Sequence, residues 1–410
     1  MSRILAAARR WLPRLGLGLM FAQLVVALWL TLLESVRKHR RLPARFPHTP
    51  ATPIGADTDK VTVYTLGEEL YADMLAAIDA ATKVIYFETF IWKADEIGEQ
   101  FKSALGRAAD RGVTVHAVWD DFANLVVKRS FFTMPPGVNV MRHPVLSIPW
   151  SPRHWGRDHR KLLIVDHQVG FIGGFNIGAP YAAHWRDTHA RIEGPSVAEL
   201  ENAFVDFWNL HRVPGRHEPL PDSTKRRWFT DLRIHRNTPR IQVYPIRNMY
   251  LEAIDRASER VWLTHAYLIP DADLVAALRA AVLRGVDVRI VVPAKSNHVV
   301  ADWLSRGSYT ELLSSGARLF LYQNAMVHAK TAAIDGTWAT IGTANLDRLS
   351  LAGNYEVNLE IVNQDVAEHL ERVFELDQAN SVEMTLDAWR TRPTLAKATE
   401  LLLSPLRPVF

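Results

Sequence analysis

The chain has 410 residues, of which 48% are hydrophobic and 22% charged, ordinary proportions for a globular protein with room for two lobes. It contains no cysteine, which excludes disulfides and thiol catalysis and leaves the redox compartment open. The net charge is +4, yet residues 1–48 hold nine Lys or Arg against one acid; the rest is therefore at −4, without the basic excess needed to follow a nucleic-acid backbone.

From the N-terminus, Leu15 to Leu33 are nineteen residues without a charge. As a helix such a run spans about 28 Å, close to the hydrocarbon thickness of a bilayer. Residues 1–48 are therefore expected to form a membrane anchor. It reads as uncleaved, because no small-x-small site follows Leu33 before the basic string RKHRR. Arg3, Arg9, Arg10 and Arg14 precede the run and Arg37, Lys38, Arg40 and Arg41 follow it, so charge does not choose its orientation.

Beyond the anchor the chain repeats itself. AAIDAATKVIYFETFIW at 76–92 is answered by EAIDRASERVWLTHAYL at 252–268, and LGRAADRGVTVHAVW later by LRAAVLRGVDVRIVV. Each copy reads as helix, buried strand, helix, strand, then the motif strands. That order predicts an α/β fold with a largely parallel sheet and helices packed on it. Core helices are expected at Leu70–Ala81 and Leu251–Ser258. The expected organisation is a first lobe at 49–211, a linker at 212–240, a second lobe at 241–384 and an apolar tail at 385–410.

The linker holds eight Lys or Arg against three acids, and it is either a solvated loop or a patch for anionic headgroups. Trp150 and Trp155, set among Arg153, His154 and Arg157, suit either a packed loop or a membrane interface. The tail, rich in leucine, either lies on a membrane or docks on the body.

The chemistry is concentrated in one motif written twice. His159, Lys161 and Asp166 stand as HxKxxxxD, and His328, Lys330 and Asp335 repeat it 169 positions later. The register continues through Gly173 and Gly342, Asn176 and Asn345, and Asp187 and Glu356. Alternate residues of an extended strand share a face, so each histidine and its lysine enter one pocket. A phosphodiester needs cationic donors where charge builds on its oxygens; Lys161 and Lys330 supply them, with Asn176 and Asn345 as neutral donors. A neutral histidine can attack phosphorus and a protonated one can release a leaving alkoxide, so the reaction needs both copies.

Asp187 and Glu356 taken singly would be solvated surface acids; their shared register instead suggests that each orients a histidine. Pseudo-twofold symmetry suggests a crossed arrangement, with Glu356 behind His159 and Asp187 behind His328. Asp166 and Asp335 belong to the catalytic motif, but their place at strand ends before turns also suits backbone capping. A histidine pair could hold zinc, but a lysine on the same face opposes it, so no metal is expected.

The doubled motif resembles the phospholipase D superfamily. The strings ETFIW at 88–92, FIGGFNIG at 171–178, RIEGP at 191–195 and IGTANLDRLS at 341–350 make roughly residues 60–385 similar to its bacterial cardiolipin synthase branch. The resemblance implies two α/β/α lobes related by a pseudo-twofold axis, no cofactor, and a phosphohistidine intermediate. It further implies His159 as nucleophile and His328 as general acid and then base. The expected reaction joins two phosphatidylglycerol molecules into cardiolipin with release of glycerol, at a bacterial cytoplasmic membrane. Phosphatidylglycerol and other anionic phospholipids are then the partners, and nucleic acid is not. One departure concerns Thr343 and Ala344, which stand before Asn345 where the family usually has GSxN. Two other readings are hydrolysis of phospholipids to phosphatidic acid and a silent scaffold that binds anionic lipids.

Overall fold

The repeat in the sequence becomes two eight-stranded sheets in a computed structural model that describes residues 18, 20–32, 46–146, 156–222 and 230–409. The basic flanks of the expected anchor, the tryptophans at 150 and 155, and linker residues 223–229 lie outside the described residues.

The first half contributes β1 (Pro53–Ala56), β2 (Asp59–Tyr64), β3 (Val84–Thr89), β4 (Thr114–Asp120), β5 (Val138–His143), β6 (Leu162–Val165), β7 (Val169–Gly173), β8 (Trp185–Arg186) and β9 (His189–Glu193). The second contributes β10 (Leu232–Asn237), β11 (Arg260–His265), β12 (Leu268–Ile269), β13 (Asp287–Pro293), β14 (Arg318–Tyr322), β15 (Met326–Val327), β16 (Lys330–Ile334), β17 (Trp338–Gly342), β18 (Leu346–Asp347), β19 (Glu356–Val362) and β20 (Ser381–Met384). Strand order is β1-β2-β9-β7-β6-β3-β4-β5 in one sheet and β10-β19-β17-β16-β11-β13-β14-β20 in the other. β10 falls inside the stretch expected to be a linker.

The sheets are mixed, which corrects the expectation of largely parallel strands. Within these two sheets only β3–β4–β5 and β11–β13–β14 run parallel, the short pairs β8–β15 and β12–β18 being parallel outside them; β6–β7 and β16–β17 are antiparallel hairpins. The turns explain this. Asp166 and His167 have φ of 53° and 62°, Asp335 and Gly336 have φ of 53° and 62°, and two successive positive φ values match the twist of a tight hairpin.

Among the helices, α1 covers 20–32. It is followed by α2 (Gly67–Ala80), α3 (Glu96–Asp110), α4 (Ala179–Ala183), α5 (Val197–His211), α6 (Pro245–Arg256), α7 (Ala272–Leu283), α8 (Val299–Ser315), α9 (Arg348–Ala352), α10 (Gln364–Ala379), α11 (Leu386–Arg390) and α12 (Thr394–Leu403). α2 and α6 realise the two expected core helices, each starting a few residues earlier. The repeat reaches the caps: Asp95 and Asp271 accept from Gly98 N and Leu274 N, each at 3.0 Å, opening α3 and α7. Gly112 and Gly285 follow those helices at φ of 88° and 90°, a left-handed conformation that glycine adopts without strain.

Each lobe has an outer core, with α2 and α3 on the first sheet and α6 and α7 on the second. Between the lobes lies a shared core. It joins Ile172, Ile192 and Phe204 to Ile341, Leu359 and Leu370, with α5 and α10 contributing from either side. Burial of these branched side chains, each fully enclosed worth about 1.5–3 kcal/mol, holds the two half-sites in one register.

Among the described residues, no helix is long and apolar enough to cross a membrane. Leu30 of α1 is buried against Ala301, Leu304 and Leu403, and Gln23 Nε2 donates to Leu402 O at 2.9 Å. Phe21, Leu24 and Leu28 remain exposed. The described tail docks on α8 through buried Trp389 and Leu403, leaving Leu395 and Leu401 outside.

Candidate active site

Both motif histidines sit just before a hairpin strand, in extended backbone bonded to the opposite lobe. His159 N donates to Tyr355 O at 3.1 Å, and His328 N donates to Arg186 O at 2.7 Å. Tyr355 and Arg186 immediately precede the matched carboxylates, so the same bridge that fixes a histidine's backbone aims a carboxylate at its ring. The pairing is crossed. His159 Nδ1 lies 3.0 Å from both oxygens of Glu356, and His328 Nδ1 lies 2.6 Å from Asp187 Oδ2. A carboxylate on Nδ1 holds the proton there and leaves Nε2 as the reactive nitrogen.

The two lysines complete a cationic floor. Lys161 Nζ donates to His159 O at 2.5 Å. Lys330 Nζ lies 2.8 Å and 3.1 Å from the two ring nitrogens of His328, a near-equal approach that is not an in-line hydrogen bond. Burial, with opposing help from nearby carboxylates, pushes Lys161 down to about 7 and Lys330 down to about 8. The site is one electrostatic unit, since the charge of Lys330 reaches His159 and that of Lys161 reaches His328. Burial followed by these ammonium groups pushes His159 well below its ordinary range and His328 down to about 3. Burial and the lysines thus favour the neutral imidazole at both positions.

The carboxylates differ. Burial pushes Glu356 up to about 8, only partly offset by Lys161. Burial also pushes Asp187 upward, but Lys330, His328 and the Thr188 N–H hold it below the ordinary carboxylate range. Thr343, the position that departs from the family pattern, donates its hydroxyl to Glu356 Oε2 and accepts from Val357 N at 3.0 Å. Its counterpart is Gly174, where a Cβ would come 2.1 Å from Asp187 Oδ1.

Of the other expected residues, Asn176 spends its carbonyl oxygen on Ile91 N at 3.1 Å. Asn345 is buried, with Oδ1 unpaired among the described residues. Asp166 and Asp335 take their hydrogen bonds away from the histidines. Each stands at the far end of its strand and accepts backbone N–H bonds at 2.7–3.0 Å, Asp166 from Thr82, Lys83 and Val84, Asp335 from Ser258, Glu259 and Arg260. Although burial acts upward, those donors hold both carboxyls below their usual range. Their work is to tie each motif hairpin to the start of the neighbouring strand.

Several neighbours of the histidines had no signal in the spacing of the motif. The Phe90 ring packs edge-on at 4.7 Å from His159, and Trp185 at 4.9 Å from His328. Beneath His159, buried Arg160 binds Glu88 and Asp158. Arg186 binds Asp377 through two bonds of 2.8 Å and 2.7 Å and so ties β8 to α10 of the other lobe. Glu88 lies in ETFIW, but its partner could not be read from a string.

Both lobes are similar to known proteins. The family described as cardiolipin synthase, PLD-like domain, matches residues 74–208 and 250–378. The chain is 31% identical over 394 residues to a cardiolipin synthase of Listeria monocytogenes, covering 92% of this chain and 80% of that protein. It is 31% identical over 367 residues to the major cardiolipin synthase ClsA of Bacillus subtilis, covering 86% and 76% respectively. Among solved structures, the phosphatidylserine synthase of Haemophilus influenzae superposes with a TM-score of 0.64 at 13% identity, over 88% of this chain and 95% of that one, a likeness of fold.

Proposed function

We propose a mechanism for this chain from the premise that it belongs to the cardiolipin synthase family of phospholipase D-like proteins and is a phosphatidyltransferase making cardiolipin. His159 is the nucleophile and His328 the proton carrier. The observation that carries the reading is the pair of crossed Nδ1 to carboxylate contacts, which leave one reactive Nε2 on each histidine.

The unequal carboxylates divide the labour. Asp187 stays ionised and sits 2.6 Å from His328, so it favours an imidazolium there. At His159 burial and the two lysines hold the ring neutral, and Glu356, itself pushed up by burial, does less to oppose them. Burial first and the ammonium groups second hold His328 neutral, and a phosphodiester entering between Lys161 and Lys330 brings a negative charge that opposes both. His328 can then take up a proton.

His159 Nε2 attacks the phosphorus of phosphatidylglycerol. A P–N bond forms as the P–O bond to the headgroup glycerol breaks, and the proton on His328 Nε2 passes to the departing oxygen. His328 Nε2 then takes the proton from a hydroxyl of a second phosphatidylglycerol. That oxygen attacks phosphorus, the P–N bond breaks, and cardiolipin leaves. Asn176 and Asn345 act as neutral donors to the phosphoryl oxygens. No residue in this scheme calls for a metal or other cofactor.

The two lobes at 49–211 and 241–384 act as one catalytic unit at the bacterial cytoplasmic membrane. The uncharged run that contains α1 anchors it there, and an acidic body has no use for nucleic acid. The test is product analysis with phosphatidylglycerol labelled in its phosphate. The detergent-solubilised protein should yield cardiolipin and a labelled covalent adduct, and His159→Ala should yield neither. Phosphatidic acid as the main product, or cardiolipin at wild-type rate from the variant, would overturn the reading.

A further inference from the structure

Loop 121–127, which follows β4, exposes large apolar side chains although its base is fully tied. Val126 is 86% exposed, Leu125 62% and Phe122 51%. Such a cluster on a rigid base marks a contact surface rather than a fraying end. Asp120 Oδ1 accepts from Phe122 N at 2.8 Å and Ala123 N at 3.1 Å, and its Oδ2 accepts from Asp158 N at 3.0 Å, next to the nucleophile. Asn124 is buried; its Oδ1 accepts from Trp92 N at 2.9 Å and its Nδ2 donates to Phe90 O at 2.8 Å. The Phe90 ring in turn packs on His159 and lies 5.0 Å from Lys161 Nζ. The loop is thus one residue removed from the reactive histidine.

Its charge has a sign. Lys128 and Arg129 follow directly, both exposed, and neither makes an ion pair among the described residues. The second lobe has a matching feature. β13 is the counterpart of β4, and the chain leaving it leads into α8, against which α1 packs with Phe21, Leu24 and Leu28 outward. Tyr267, packed in that same cluster, lies 6.4 Å from the His328 ring. Each histidine is therefore flanked by an element that shows apolar side chains to solvent.

We infer that loop 121–127 docks into the surface of an anionic phospholipid bilayer, with Phe122, Leu125 and Val126 entering the acyl boundary and Lys128 and Arg129 meeting headgroup phosphates. The inference rests on the proposed reaction, whose substrates lie in a bilayer. A protein partner on this loop would cover the approach to Phe90 and His159, whereas a bilayer delivers substrate there.

Because the chain has no cysteine, Val126→Cys carries a single environment-sensitive fluorophore on the full-length protein, and Val382→Cys on β20 serves as a distant exposed control. With vesicles of phosphatidylcholine and phosphatidylglycerol, the probe at 126 should shift blue, brighten about threefold, and be quenched by spin-labelled acyl chains. The probe at 382 should do none of these. Vesicles of phosphatidylcholine alone should give a weaker response that reports the share of Lys128 and Arg129. An unshifted probe at 126 overturns the inference, as does a shift that depends on protein concentration without lipid, which would mean a second copy covers the loop.

In activity assays, Leu125→Glu with Val126→Glu should lower the ratio of rates on vesicle to dispersed short-chain phosphatidylglycerol by about tenfold. An unchanged ratio counts against docking. The fluorescence needs no turnover, so it stays readable if the proposed chemistry fails.

Discussion

His159 and His328 face carboxylates of opposite character, and this should separate the effects of removing each ring. With His328→Ala the glycerol alkoxide leaves unprotonated, so cardiolipin formation should fall by about 10²–10⁴, the usual worth of a general acid. A phosphodiester with a nitrophenolate leaving group needs no such proton. On it His328→Ala should still form the labelled adduct, and His159→Ala should not. Equal loss on both substrates would reverse or cancel the assignment.

The lysines give a pH dependence whose sign is fixed. Each binds phosphate only while protonated, and in the protein alone that charge is lost as pH rises through about 7 for Lys161 and about 8 for Lys330. KM for phosphatidylglycerol should therefore climb between pH 7 and 9, with kcat changing less, and Lys330→Met should flatten the climb. A KM constant over that range would remove the lysines from substrate binding. At this scale residue types and register were enough to nominate the histidines, lysines and both orienting carboxylates. They did not reveal the Thr343 hydroxyl on Glu356, because a departure from a family pattern says nothing about which neighbour it meets.

Asp166 and Asp335 act on elements rather than on substrate. Asp166→Asn weakens a carboxylate bound by three backbone N–H groups and the Thr82 hydroxyl, and a denaturant melt should show a loss of about 1–3 kcal/mol. Turnover per folded molecule should change by less than about twofold, since no reacting group is touched. A collapse of kcat with unchanged stability would restore a catalytic role. The same turns explain why the sheets are mixed. Helix-strand alternation suggests a largely parallel sheet, but Asp335-Gly336 is a dipeptide that favours a tight hairpin, and it makes β16 and β17 antiparallel. Alternation along a strand reports which face is buried and is silent on which neighbour pairs with it.

Across the whole molecule, the lobes are joined by backbone bridges at the histidines and by Arg186–Asp377, an ion pair with both side chains 1% exposed. Removing one partner strands a buried charge, so Arg186→Met should cost about 3–5 kcal/mol in unfolding free energy. Arg186→Met combined with Asp377→Leu should recover most of it while the active site keeps its backbone bridge. If the double variant is as unstable as the single one, the pair is not the tie it resembles. A sequence repeat announces two lobes but cannot give this contact, because pseudo-symmetry places Tyr355 where the first lobe has Arg186.

By itself the sequence determined which residue types recur: the doubled motif and its satellites set two histidines and two lysines in matched register, and the lack of cysteine excludes thiol chemistry. Those properties depend on residue type and on strand periodicity, both of which are local. Only the tertiary structure decided that Glu356 stands behind His159 and Asp187 behind His328, that the motif aspartates bond the starts of neighbouring strands, and that an apolar loop borders His159. The residues of the two crossed pairs lie 197 and 141 positions apart, and contacts of that separation are set by how the sheets pack around their shared core.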